Sequence, residues 1–562
     1  MNKTWKYSKI DEEKANKISE KYNISKLISK ILLRKNILDK QEIKVFLNPT
    51  RSDFHDPYLM PDMRKAVDRI IKAIDEKQKI VIYGDYDADG ITSITVLKNF
   101  LEDIGVKTIS YYIPNRLNEG YGLNKQAIKK IVDDGNKLMI TVDCGISGVE
   151  EVDYANSLGL DVIITDHHEP GEVLPNAIAV VDAKRKDNIY PCNQLAGVGV
   201  SFKLIQAISK RLNIDEKEYL KYLDIVCIGT ISDIVPLVDE NRVIAKLGLK
   251  LVEVTKNVGL KALLDASGYK KIDSMTISFG LAPRINACGR MGNADIALKL
   301  FLTKDKSEAK QIAIDLNEYN KQRQEIEKRM CNEAISKIEK EKQDKKVIVL
   351  ESKNWHHGII GIVSSKITDM YFKPSILICF EESQGRGSGR SIPGFDLYKA
   401  LSNCSAHIEK FGGHSMAIGI KIKKEEFENF KKDFEEYAQK TNISDIIPVI
   451  DIDEEILLKD INIDEVESLK LLEPFGESNK VPIFMCKDLK IESIRALSEG
   501  KHLKLSLKDD GFIIDAIGFN LGDLASQYRI GDKIDVAGNL EINEFNGIKK
   551  VQINLKDIRK SY

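Results

Sequence analysis

The sequence predicts a multidomain α/β protein: a parallel-sheet unit, a long connecting helix, a second α/β unit and a small C-terminal β-barrel. Three observations carry this. Between about residues 77 and 181, short apolar runs alternate with stretches at helical spacing. Residues 305–345 form one charged, uninterrupted helical pattern, and beyond about 445 the texture changes to short strands and turns. Continuous β-branched strands alternating with helices imply a parallel sheet covered on both faces.

In order, Lys79–Gly84 (KIVIYG) reads as a buried strand, and Gly90–Ile104 (GITSITVLKNFLEDI) follows at helical spacing, closed by Gly105. Strands are expected at Thr108–Ile113, Leu138–Val142, Asp161–Thr165 and Ala177–Val181, with a helix near Lys125–Val132. From about 194 to 300 helices dominate. In the connector, Ile312, Leu316, Tyr319, Ile326, Met330, Ala334 and Ile338 recur at steps of three, four or seven, the pattern of a solvated helix with one packed stripe. The second unit opens with Lys346–Leu350, continues with a helix near Ile359–Met370 and a strand at Ser375–Phe380, and ends with a helix over Glu425–Lys440. In the last segment Asn546-Gly547 marks a two-residue hairpin, and several strands in about 110 residues suggest an OB-fold-like barrel. The expected divisions are an N-terminal segment 1–45, then 46–304, the connector 305–345, 346–444 and the barrel 445–562.

Composition bounds the partners. The 562 residues hold 85 Lys+Arg against 86 Asp+Glu, so a histone-like cloak of positive charge is excluded, while a basic groove opposite an acidic site is not. Eight scattered cysteines form no C-x-x-C pair, which argues against a zinc ribbon and a disulfide framework. No apolar stretch reaches membrane-spanning length and the N-terminus lacks an apolar leader core, so a reducing, cytoplasmic setting without a membrane is expected.

The chemistry gathers at strand ends. Gly84–Gly90 (GDYDADG) places Asp85, Asp87 and Asp89 together after a buried strand; an extended segment would align them on one side, with Gly90 opening a helix. Three carboxylates this close repel, and a divalent cation relieves them. An EF-hand is excluded because the twelfth position counted from Asp85 is Val96. Asp143 closes a second strand and Asp166-His167-His168 a third, and ligands of open parallel sheets bind outside those carboxyl ends. Asp233, in GTISDIVPL, is a further carboxylate within an apolar stretch. Oxygen and nitrogen donors without thiolate suit Mn²⁺ or Mg²⁺, and their number fits a pair of ions serving phosphoester hydrolysis. No phosphate-cradling GxxxxGK[ST] and no GxGxxG is present, so nucleotide-fuelled and dinucleotide-cofactor chemistry find no support. In the second unit, GRGSGRS at Gly385–Ser391 reads as a glycine-rich segment outside any core. Its glycines allow close approach to a ligand, and Arg386 and Arg390 suit phosphate. Arg284 and Arg290 (APRINACGRMG) are further phosphate candidates.

Taken together, Tyr83–Gly90, Pro114-Asn115-Arg116, Val142–Gly145, Asp166-His167-His168 and Ser232–Leu237 resemble the DHH phosphoesterase superfamily, and within it the single-strand-specific exonucleases. Trp355–Gly358, Gly385–Ser391 and Phe411–His414 resemble its DHH-associated domain, and residues 471–484 its OB-fold. The resemblance implies metal ligation by Asp87, Asp89, Asp143, His167 and Asp233, with Asp143 bridging. Asp85 and His168 complete the catalytic set, and Arg116, Arg284, Arg290, Ser388, Arg390 and His414 bind substrate. Cys144 adds a thiol beside Asp143. In the last segment Lys549, Lys550, Lys556, Arg559 and Lys560 make a mildly basic end. Phe512, Phe519 and Phe545 offer stacking faces, though each alone is better read as core.

The implied activity is hydrolysis of single-stranded DNA from the 5′ end to mononucleotides, in repair and recombination. The implied cofactors are Mn²⁺ or Mg²⁺; the implied partners are a single-strand-binding protein and a helicase, around a monomer. Two alternatives stand: a phosphodiesterase for short oligoribonucleotides or cyclic dinucleotides, disfavoured by the extra barrel, and a non-catalytic replication-fork scaffold, disfavoured by the intact carboxylates.

Overall fold

The computed structural model describes residues 3–341, 345–441 and 446–561. The end expected for the connector and the division expected near 444 abut residues 342–344 and 442–445, which lie outside the described residues. The chain forms two units, one of His55–Val235 with Leu247–Ile446, the other of the residues through Phe54, Pro236–Lys246 and Ile447 onward.

The first unit contains both α/β sheets. Five parallel strands run in the order Ile109–Tyr112, Ile80–Gly84, Leu138–Val142, Asp161–Thr165, Ala179–Val181. The central strands are buried throughout, as their continuous apolar character requires. Gly84 pairs with Val142 and Val142 with Thr165, so Asp85, Asp143 and Asp166 leave three adjacent strands at one level. That common edge is where the chemistry is assembled.

The connector is a 36-residue helix, Lys306–Glu341. Of the expected stripe it buries Leu316, Met330 and Ala334, while Ile312, Tyr319, Ile326 and Ile338 are only half-buried; Ala309, Ala313, Asn320 and Glu327 complete the buried line. The second sheet is mixed, in the order Lys410–Gly413, Ala417–Lys423, Gln384–Arg390, Ser375–Glu381, Ile348–Ser352. The GRGSGR segment corrects an expectation: it is a strand at the middle of this sheet and no loop. Its glycines face the core because nothing larger fits. A Cβ on Gly385 would lie 2.5 Å from Phe380, and one on Gly389 would lie 2.8 Å from Ile418. Glycine serves close packing at these positions, and the intervening Arg386, Ser388 and Arg390 occupy the opposite face.

The second unit is built on a closed barrel in which Phe484–Leu497 pairs with both His502–Asp509 and Lys533–Phe545. The hairpin at Asn546-Gly547 forms, both residues taking positive φ (51° and 77°) as a two-residue turn of that type demands. The N-terminal helices share the barrel's core: Leu27, Ile28, Ile31, Leu32 and Phe46 cluster with Leu489, Ile491, Leu503 and Leu505. Arg242, fully buried, ties this unit together by donating to the carbonyls of Phe46, Leu472, Glu473 and Pro474. Phe512, Phe519 and Phe545 are 49%, 53% and 73% exposed, so the core reading of each gives way.

Candidate active site

Asp85 follows the Ile80–Gly84 strand into a short bend. Asp87 is the N-cap of the Ala88–Asp103 helix and accepts from the amides of Asp89 (2.9 Å) and Gly90 (3.1 Å). The helix therefore opens one residue after Asp87, not at Gly90, whose hydrogen side chain is required because a Cβ would collide with the Asp85 backbone at 2.4 Å. Of the three acids, Asp89 is therefore aimed by helix geometry, while Asp87, as the cap, keeps extended backbone (φ −93°, ψ −176°). The Ala88 amide is held by Asn286 at 2.8 Å.

Asp89 is buried, and its two oxygens accept from the amides of Gly197 (2.7 Å) and Val198 (2.8 Å), at the start of the Gly197–Leu212 helix. Asp143 takes positive φ (59°) at its strand end, and Gly197 packs so closely that a Cβ there would lie 2.6 Å from the Asp143 Cβ. Asp233 follows the Leu223–Ser232 helix as its C-cap.

These groups converge on His167. Its Nε2 lies 3.1 Å from Asp143 Oδ1, 3.7 Å from Asp233 Oδ2 and 3.8 Å from Asp89 Oδ2, buried and without a hydrogen-bond partner. Burial, then the neighbouring His168, pushes its pKa down to about 3, so the imidazole is neutral with a lone pair to offer. The carboxyls move the other way. Burial and then Asp87 raise Asp89 to about 7; burial and then Asp89 raise Asp233 to about 9; Asp85 and Asp143 are raised well above the usual range. One Asp85 oxygen is likewise buried and unpartnered. Ligand atoms of Asp89, His167 and Asp233 lie within 4.8 Å of one another, as do those of Asp85, Asp87 and Asp143, and those of Asp143, His167 and His168. A neutral imidazole facing crowded carboxylates is the donor set of a hard divalent cation, and Asp143 and His167 each belong to two of these groups.

Asp166 stands apart. Its oxygens accept from the amides of Ile146, His167 and His168 and from His168 Nδ1 at 2.7 Å. Burial alone would raise its pKa, but the hydrogen bond and charge of His168, the Ile146 amide and His167 together outweigh that and hold the carboxyl below its usual value. It holds His168 in turn: burial would lower the imidazole pKa, and Asp166 instead lifts it to about 9. Tyr121, which the sequence reading passed over, places its hydroxyl 3.1 Å from His168 Nδ1. Its signal was a tyrosine between two glycines, Gly120 and Gly122, which take φ of 86° and 88°. Asp182, at the end of the next strand, was also missed; it is fully buried with one unpartnered oxygen. The Cys144 thiol points to the Tyr83 carbonyl at 3.8 Å and is held protonated by burial first and then by the neighbouring Asp166, Asp85 and Asp143 carboxylates.

The basic candidates divide. The Arg116 guanidinium stacks 4.9 Å from the Tyr86 ring, next to the acidic loop. Arg290 donates to the Gly358 carbonyl at 3.1 Å, and Arg284 to Asn317 Oδ1 and the Gly280 carbonyl, so the latter pair brace protein. Arg390 donates to Ser388 Oγ at 3.0 Å, and a Cβ on Gly361 would lie 3.1 Å from that oxygen and 3.2 Å from Arg390 Nη2. Ser388 and Arg390 thus meet the start of the Ile360–Tyr371 helix, a favourable setting for an anion. His414 is exposed on the turn after Lys410–Gly413.

Three segments of the chain match known domain families. Residues 79–230 match the DHH family N-terminal domain, 344–440 the DHHA1 domain and 452–557 the RecJ OB domain. The chain is 39% identical over 559 residues to the single-stranded-DNA-specific exonuclease RecJ of Bacillus subtilis, covering 98% of this chain and 70% of that one. Crystal structures of Thermus thermophilus RecJ with Mn²⁺ and with Mg²⁺ superimpose with TM-scores of 0.87 and 0.80, at 28% and 27% identity. Both cover 100% of this chain and about four-fifths of theirs (80% and 79%).

Proposed function

The chain belongs to the RecJ family of the DHH superfamily, and from that premise we propose that it is a metal-dependent, single-strand-specific DNA exonuclease working from the 5′ end and releasing mononucleotides. The observation that carries the chemistry is the buried, partnerless Nε2 of His167 facing Asp89, Asp143 and Asp233. In this reading Asp87, Asp89, Asp143, His167 and Asp233 hold Mn²⁺ or Mg²⁺. Bound there, such ions supply an activated water and stabilisation of the leaving oxygen.

The remaining groups act on the strand. His168, kept protonated by Asp166, donates to an oxygen of the scissile phosphate, and Tyr121 orients that ring. Arg116 adds positive charge above Tyr86. Ser388 and Arg390 take the terminal phosphate, Arg390 by the planar fork that suits two phosphate oxygens. Arg284, Arg290 and His414 belong to the substrate path, the two arginines by bracing its walls. The barrel supports a polyanionic substrate. Strand pairing sets Lys490 opposite Lys508 and Arg495 opposite Lys504, like-charge pairs that a further anion would relieve, each already partly offset by an acid: Glu492 lies 3.9 Å from Lys508 and Asp515 lies 3.2 Å from Lys504.

A single-strand-binding protein and a helicase fit as partners, since one coats and the other generates the substrate, and a monomer in the cytoplasm suits that work. Among the described residues no helix is long and apolar enough to cross a membrane.

The test is digestion of single- and double-stranded DNA labelled at either end, with Mn²⁺, Mg²⁺ or chelator. Mononucleotides released first from the 5′ label, from single strands only and only with metal, are expected. Release first from the 3′ label would overturn the polarity, and turnover in chelator would overturn the metal assignment.

A further inference from the structure

The loop between the Ile109–Tyr112 strand and the Lys125–Asp133 helix carries two groups that face the site, Arg116 and Tyr121. Its root is well tied. The Asn115 amide donates to Glu119 at 2.7 Å, the Tyr112 hydroxyl donates to the same carboxylate at 2.7 Å, and Asn115 Oδ1 accepts from the amide of Leu117 at 2.9 Å. Its tip meets neighbours that the sheet of strand ends does not supply. Asn115 Nδ2 donates to the Gly292 carbonyl at 3.0 Å, and Leu117 packs onto Gly292 where a Cβ would lie 2.8 Å from its methyl. The Leu117 carbonyl accepts from Arg386 Nη1 at 3.1 Å.

Arg386 comes from the glycine-rich strand of the second sheet. Residues two apart on a strand share a face, so Arg386, Ser388 and Arg390 line up on one side of Gln384–Arg390 while the glycines fill the other. A second close junction runs alongside. Arg290 donates to the Gly358 carbonyl, and a Cβ on Gly358 would meet the Arg290 carbonyl at 2.4 Å, so these backbones touch without side chains between them. His357, beside that junction, has its pKa lowered by burial first and then by the Arg386 cation, against the Glu381 carboxylate 3.5 Å from its Nδ1, so Arg386 is one of the charges at this corner, with Glu381 and Arg116.

We propose that Arg386 is a positioning residue: its bond to the Leu117 carbonyl latches the 115–122 loop to the strand that carries Ser388 and Arg390. One strand then sets both the seat of the strand's terminal phosphate and the placement of Arg116 and Tyr121 over the strand ends. The latch rests on the functional reading above for its consequence in turnover, but not for its existence.

The experiment uses the full chain and two variants, Arg386→Ala and Arg386→Lys. Amide hydrogen exchange of residues 115–122 is followed without DNA or metal, and kcat and KM are measured on 5′-phosphorylated strands at two salt concentrations. Loss of the latch is expected to speed exchange in the loop by about tenfold, the worth of one hydrogen bond from a charged donor, with Arg386→Lys between the two. The expected kinetic signature is a fall of similar size in kcat, with KM and its salt dependence little changed. Unchanged exchange with a salt-dependent rise in KM would overturn the proposal and make Arg386 a direct contact to the DNA backbone. Unchanged exchange with unchanged kinetics would overturn it too, leaving a surface arginine. If the chain proved not to cut DNA, the exchange arm would still decide the latch, so the two readings fail separately.

Discussion

The sheet of Ile80–Gly84 gathers its polar groups beyond the ends of its strands, whereas the sheet of Gln384–Arg390 presents them along the face of one strand. The first is all parallel, and three adjacent strand ends each contribute an acid to one edge: Asp85, Asp143, Asp166. The second is mixed, and its central strand alternates glycine inward with Arg386, Ser388 and Arg390 outward. Both arrangements crowd like charges or demanding groups, and each is tolerable only with a counterpart: a cation for the acids, an anion for the cations. The difference teaches that one unit can bring opposite electrostatic sites together by using two different features of β-structure, the strand end and the strand face.

The comparison breaks most severely if the acids are dispensable. Asp143→Ala is expected to lower kcat by at least about 10³, roughly 4 kcal/mol of transition-state stabilisation, with the fold intact by circular dichroism. Activity within about tenfold of the parent would remove Asp143 from the metal set.

A sharper test lies on the other sheet. Arg390→Lys keeps the charge but loses the planar fork, and a drop in kcat/KM of about 10- to 100-fold on 5′-phosphorylated strands is expected. The loss should be smaller on 5′-hydroxyl strands, and metal affinity measured by titration should not move. Equal losses on both substrates would reduce Arg390 to general attraction for the backbone.

The smallest effect concerns stability and separates the sheets by pH. With metal removed, the folded-state pKa values of Asp89 (about 7) and Asp233 (about 9) stand above the usual carboxylate value near 3.8. The folded chain therefore binds more protons than the unfolded chain between about pH 4 and 9, and stability must fall as pH rises through that window. Melting temperature is expected to decline from pH 5 to 9 in chelator and to stay level or rise in Mn²⁺, because a bound cation holds these carboxylates ionised. Parallel curves in the two conditions would show that the acids are not a metal site. Arg390→Lys should leave both curves in place.

Much of the first site was legible because its signals are local. Buried apolar strands followed by Asp and His place those residues at the carboxyl edge of a parallel sheet, whatever the detail of the loops. The turn at Asp87 was misread because alternation and capping produce the same spacing over three residues, and only the Gly197–Val198 amides and the Asp85 backbone decide for a helix. The glycine strand was misread for a related reason. Glycine carries no signal of what faces it, and the proximity of Phe380, Ile378 and Ile418 is a property of the packed sheet.

By itself, then, the sequence determined the order of the α/β units, the connector, the barrel and the acid-bearing strand ends, because apolar periodicity and strand-end position are properties of short segments. Only the tertiary structure decided that Asp166 serves His168, that Tyr121 reaches that histidine, and that the N-terminal helices complete the barrel's core. Those relations join residues far apart in the chain. Burial is what converts their proximity into shifted pKa values, unpartnered nitrogen and packed glycine, and no local pattern encodes it.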